Sequence, residues 1–176
     1  MINDKILETD DFNNSLVEGA DIKTILSKKK KTYVEKSIEQ ELKSKYFEEG
    51  WELIRDNTST SRIKKSKSHD VLFEDKVWTI LAQMGFNTLN ANSNLKLPYA
   101  KDPTIPGRQI DVFAADEETI LIIECKSSVD LKPKSLQTVI NDFETIKRGS
   151  ISFLKEFFGS KRKIKFILAT NNIILN

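Results

Sequence analysis

Glu124 and Lys126 follow directly on an apolar run, Thr119 to Ile123, and a second acid, Asp111, stands upstream of that run. Alternate residues of a strand share a face, so Glu124 and Lys126 point together while Cys125 points the other way. Charges at the end of a buried strand are costly unless they are paired, solvated or holding a metal. An antiparallel hairpin of Gln109–Ala114 and Thr119–Lys126 around the acidic turn AADEE places Asp111 across from Glu124. Two carboxylates and an ammonium then converge. That set suits hydrolysis of a phosphodiester with a hard divalent cation, because Mg²⁺ binds through one or two acids and keeps several waters. The ion polarises the phosphate and lowers the pKa of a water, and a lysine beside it offsets developing charge. Glu74, at the margin of a helical apolar face, adds a carboxylate if that helix packs beside the sheet.

The helix in question is the run in which Phe73, Val77, Ile80, Leu81 and Met84 keep the helical period, capped by Ser68 or Asp70 and stopped by Gly85. Phe86–Ala91 reads as a short strand, followed by a proline-containing loop through Gly107. Beyond the hairpin, Pro133 fits a first helical turn, and Leu136, Val139, Ile140, Phe143, Ile146, Leu154 and Phe157 carry the period toward Gly159, with Gly149 as a point where the helix bends or splits. Ile164–Ala169 reads as a buried strand after a crossover, and NNIILN as the entry to a further element. From residue 69 the order is therefore α-β-β-β-α-β.

Ahead of this core, residues 1–14 read as a polar tail and SLVEGADIKTILS as a weak helix. Ile38, Leu42 and Tyr46 at spacing four predict an amphipathic helix over Ser37–Glu49. The flanks of NTSTS predict a small hairpin, and KKSKSHD a linker. The division is thus an arm over residues 1–68 and a core over residues 69–176, with the chain expected to continue past its last residue in a longer protein.

A net charge of +2 conceals an uneven distribution. Residues 1–26 carry six acids against two lysines, residues 28–68 twelve Lys/Arg against seven acids, and residues 126–165 ten basic against four acidic. A polyanionic partner fits the two basic stretches and not the acidic N-terminus. One cysteine excludes a disulfide framework and a cysteine zinc knuckle, and one histidine argues against a histidine metal site or a Ser-His-Asp triad. No apolar stretch is long enough to span a bilayer, and the N-terminus has no signal-peptide core, so the expected location is cytoplasmic.

Asp111, then Glu124-x-Lys126, on consecutive strands within an αβββαβ order resembles the PD-(D/E)XK nuclease superfamily, closest to its Mrr-like and Holliday-junction-resolvase branch. The resemblance implies an α/β restriction-endonuclease-like core, a central mixed sheet flanked by helices, covering about residues 69–170, with the N-terminal helix and hairpin added to it. It further implies a Mg²⁺-dependent endonuclease acting on DNA, Mn²⁺ substituting, with Asp111 and Glu124 as metal ligands and Lys126 as catalytic lysine. Glu74, in FEDKVWTILAQMGF, matches the first-helix glutamate that completes such sites as a further metal ligand. Ile110 stands where the superfamily name has proline. Gln137 resembles a polar residue of the second long helix in some branches, and Ser127, Lys132 and Lys134 are candidates with it for contacts to phosphate. The wider run from KKKKTYVEKSIEQ through EEGWELIRD to ATNN resembles the N-terminal region of bacterial DGQHR-domain proteins, which implies a DNA-modification or phage-defence setting with partner proteins. A homodimer is compatible with these expectations.

The rival expectation is the same fold without catalysis, a DNA-binding or scaffolding module of a defence complex. Structural readings stand beside several residues as well. Trp51 and Trp78 are expected to pack rather than stack on bases, Cys125 to pack beneath a helix, His69 to neighbour a cap, Ser127 and Ser128 to lie in a turn, and the basic runs at 28–31 and 161–163 to be solvated faces.

Overall fold

The computed structural model describes residues 10–102 and 104–175, with all their side chains except those of Lys132 and Leu175. The elements are β1 (Leu16–Glu18), α1 (Ala20–Lys29), β2 (Tyr33–Glu39), a 3-10 turn (Gln40–Leu42), α2 (Lys43–Glu48), β3 (Glu52–Asp56) and β4 (Thr60–Ser66). They continue as α3 (His69–Met84), β5 (Thr88–Asn90), β6 (Lys96–Leu97), β7 (Arg108–Gln109), β8 (Val112–Ala115), β9 (Thr119–Lys134), α4 (Gln137–Phe158) and β10 (Lys163–Leu175). Among the described residues no helix is long and apolar enough to cross a membrane.

A central mixed sheet runs in the order β1-β5-β8-β9-β10, antiparallel except for the parallel pair β9 and β10, which α4 connects as a crossover. Counting only strands of this sheet, the order from α3 onward is the expected α-β-β-β-α-β. Helices cover both faces. Alternation sends Phe113, Ala115, Ile120 and Ile122 toward Ile146 and Leu154 of α4, and Val112, Ala114, Leu121, Ile123 and Cys125 toward Trp78 and Leu81 of α3. Two buried faces explain why β9 reads as a continuous apolar run before its charges. Ser68 caps α3 by accepting a hydrogen bond from the Val71 amide, and Gly85, at φ 99°, ends it in the left-handed region.

Three antiparallel strands, in the order β2-β4-β3, form a separate small sheet in the arm, so the predicted hairpin about NTSTS is present with a third strand added. That third strand corrects the helix expected over Ser37–Glu49. Ile38 lies in β2 opposite Ser61 and is buried there, and the helix begins only at Lys43. The spacing-four series spans two elements, and pairing with β4 overrides the local period.

Other expectations shift at element ends. Residues 1–9 of the expected tail lie outside the described residues, but residues 10–14 are helical and Phe12 is buried among Phe113, Phe153 and Phe157. Leu16–Glu18, expected in a helix, pairs with β5 instead. Most of the expected linker is ordered structure, since β4 runs to Ser66 and α3 starts at His69. Pro133 belongs to β9 opposite Ile174, where among the described residues only β10 pairs with it, a setting that tolerates proline, and NNIILN continues β10 to Leu175. Gly149 leaves α4 unbroken: a Cβ there would lie 1.5 Å from the Tyr99 carbonyl oxygen, so its role is close packing.

Candidate functional site

The expected strand over Gln109–Ala114 is two pieces. Arg108–Gln109 pairs with Lys96–Leu97 in a separate ribbon, the chain crosses at Ile110 and Asp111, and Val112–Ala115 then joins the main sheet. Asp111 therefore sits at a break in the ladder, where backbone groups need other partners. Asn90 supplies them. Its side chain donates to the Asp111 carbonyl at 3.2 Å and to the Asn92 carbonyl at 2.8 Å, and its amide oxygen accepts from the Phe113 N–H at 3.0 Å. The Asn90 carbonyl in turn accepts from Trp78 Nε1 at 2.9 Å, which ties the break to α3.

Asp116 sets the register of the hairpin. Its carboxylate accepts from the Glu118 and Thr119 amides at 2.8 and 2.7 Å, and the ladder runs from Ala115–Ile120 to Val112–Ile123. One residue before Val112, Asp111 lies outside the ladder, but its side chain still reaches the strand that carries Glu124. Asp111 Oδ2 accepts from the Cys125 N–H at 2.8 Å, while Glu124 Oε1 accepts from Lys126 Nζ at 2.6 Å. Asp111 Oδ1 and Glu124 Oε2 carry no hydrogen bond among the described residues.

Glu74 approaches on α3, one turn before Trp78. Burial first, and then the Asp111 carboxylate, push its pKa up to about 7 against the pull of Lys29. The same acids surround Cys125, whose thiol is pushed up to about 12 by burial first and then by Asp111, Glu74 and Glu124, so it packs as a neutral group. Burial opposes the charge on Lys126, but the hydrogen bond and charge of Glu124, with Asp111, outweigh it and raise its pKa. Lys126 is thus a cation and donor at neutral pH, not a base.

Among the described residues no three His, Cys, Asp or Glu side chains form a ready-made ion site. The donor chemistry fits Mg²⁺ nonetheless, which uses one or two hard carboxylate oxygens and retains water. Asp111 Oδ1 and Glu124 Oε2 are such a pair, and both residues line an open cleft of about 570 Å³ with Lys96, Tyr99, Arg108 and Gln109.

The remaining candidates lie farther along. Ser127 donates to Asp70 at 2.5 Å and lies 3.0 Å from His69 Nδ1, joining the end of the charged run to the start of α3. Lys134 pairs with Leu175, whereas Lys126 pairs with Thr170, an offset of five β10 residues or roughly 16 Å. Gln137 opens α4 and donates to Asn141 at 2.9 Å. The Lys132 side chain lies outside the described residues.

Two residues at the site carry no signal of their own in the sequence. Asn90, in TLNAN, reads only as one residue of the short strand Phe86–Ala91, and its near-complete burial is what marks it. Asp75 reads as one of several helix acids, yet it is buried between Lys29 at 2.6 Å and Lys67 at 2.7 Å. Comparison with protein-family models, curated proteins and solved structures returns no match.

Proposed function

We propose that the chain is a metal-dependent endonuclease that hydrolyses DNA phosphodiester bonds. The observation that carries the reading is that the Asp111 carboxylate accepts from the Cys125 N–H between Glu124 and Lys126, with Lys126 bound to Glu124 and both acids at the wall of a cleft. The resemblance of Asp111 and Glu124-Cys125-Lys126 to PD-(D/E)XK nucleases supports the same reading, and their αβββαβ setting is present. Asp111 and Glu124 would hold the divalent ion, which supplies Lewis-acid polarisation of the phosphodiester.

The chain's own groups divide the remaining work. Lys126, kept protonated by Glu124, donates to the attacked phosphate and offsets the charge that accumulates there. Glu74, close enough to Asp111 for their charges to interact, would complete the ligand set of the ion from α3. Asn90 holds the Asp111 backbone in place.

Supercoiled plasmid incubated with the protein should be nicked or linearised in Mg²⁺ or Mn²⁺ and stay intact in EDTA. Equal cutting by wild type and by Asp111→Asn and Lys126→Ala would remove the assignment.

A further inference from the structure

The cleft beside the carboxylates has a second set of groups that the catalytic proposal does not use. Lys96 and Gln109 face each other across the β6–β7 ribbon, Arg108 precedes Gln109, and all three line the cleft with Tyr99. Arg108 and Gln109 lie only three and two residues ahead of Asp111, within about 10 Å along an extended chain. The Lys96 ammonium has no hydrogen-bond or ion-pair partner among the described residues. Arg108 donates to Asp142 at 2.7 Å, but both side chains are well exposed, so that pair is weak and can share the guanidinium with a phosphate. Tyr99 is fixed from behind, because α4 approaches its backbone at Gly149 and its ring packs against the core.

The Tyr99 ring sets which form of nucleic acid can use the open cleft it lines. In a duplex the base faces are stacked on one another and none is open to a side chain, whereas an unpaired strand offers them. Two cations flanking an aromatic ring is the combination by which proteins bind single strands, with backbone phosphates on the charges and a base against the ring. From this we infer that the cleft is a subsite for an unpaired strand, with Lys96 and Arg108 on phosphates next to the scissile one and Tyr99 against a base. The substrates are then single-stranded DNA, flaps, loops or frayed ends. The inference rests on the nuclease reading for the position of the scissile phosphate.

Fluorescence anisotropy of a labelled oligothymidylate and of a blunt duplex of equal length, both in EDTA so that nothing is cut, tests this. The single strand should bind about tenfold tighter. Lys96→Ala and Arg108→Ala should each lower the slope of log K against log salt by about 0.7, the value for one lost phosphate contact on a single strand. Tyr99→Leu should weaken binding about tenfold with the slope unchanged, and Tyr99→Phe, which keeps the ring and the fold, should bind as wild type. Lys147→Ala, outside the cleft on α4, should change nothing. Equal or tighter duplex binding, or single-strand binding with unchanged slope in both cation variants, overturns the inference. The shifts appearing without cleavage in Mg²⁺ would remove the nuclease reading and leave the strand subsite standing. Absence of salt-dependent binding to either probe would remove both.

Discussion

The Asp111 carboxylate accepts a hydrogen bond from the backbone N–H of Cys125, the residue between Glu124 and Lys126. One acid is thereby locked to the strand that carries the other acid and the lysine. The bond also separates two roles of Asp111, since one oxygen serves the fold and the other remains for a ligand.

Asp111→Asn should keep the fold and lose the chemistry. An asparagine oxygen can still accept from Cys125, whereas Asp111→Ala leaves that amide without its partner, a loss of about 1–3 kcal/mol. Urea unfolding should rank wild type and Asp111→Asn together above Asp111→Ala, while plasmid cleavage in Mg²⁺ falls by about a hundredfold or more in both. Residual cutting by Asp111→Asn near the wild-type rate would sink the metal-ligand role.

Glu74 makes stability depend on pH. Its pKa of about 7 in the folded chain lies above the ordinary 4.5, so at intermediate pH the folded chain holds a proton that the unfolded chain has lost. The stabilisation is complete below pH 4.5 and fades as pH rises through about 7. Glu74 is half-exposed, so solvent screening reduces the effect to about 1 kcal/mol. Glu74→Gln, which cannot ionise, should melt about 2–4 °C above wild type near pH ~8 in EDTA and converge with it at acid pH. A parallel pH profile for the two proteins would show that Glu74 is not desolvated as described.

Asn90 carries no charge, yet three of its side-chain bonds meet at the break that holds Asp111. Asn90→Ala leaves the buried Phe113 amide without its acceptor, which should cost about 2 kcal/mol in urea unfolding. Activity should fall further than the unfolded fraction explains, because the Asp111 backbone loses a tether. Unchanged specific activity in the folded fraction would restrict Asn90 to a structural part.

The charged end of β9 was legible because period two and an acidic turn are local signals, and Asp116 does fix the register that brings Asp111 to Glu124. Features set by distant partners were not. Ile38 looks helical until β4 pairs with its strand, Pro133 looks like a helix start until β10 pairs with β9, and Phe12 sits in a polar stretch whose anchor is a cluster of phenylalanines on α4. Asn90 and Asp75 belong to the same class. Their significance is burial, which no short window of sequence contains.

Asp75 supplies the last test, of how the arm is fastened to the core. Lys29 at the end of α1 and Lys67 beyond β4 both donate to it, and Lys67 also donates to the Lys28 carbonyl at 3.0 Å. Lys67 and Asp75 are almost fully buried, and they compensate one another's charge, with Lys29 adding a second cation beside Asp75. Asp75→Ala would leave two ammonium groups facing a desolvated gap, a loss of about 3–5 kcal/mol. Lys67→Met keeps the stem packing and leaves Asp75 paired with Lys29, so it should cost less. Limited proteolysis should then cut Asp75→Ala in the segment between Ser66 and His69 well before Lys67→Met, with wild type slowest. Equal cutting of all three would show that the arm is held by its apolar contacts and not by this buried ion triad.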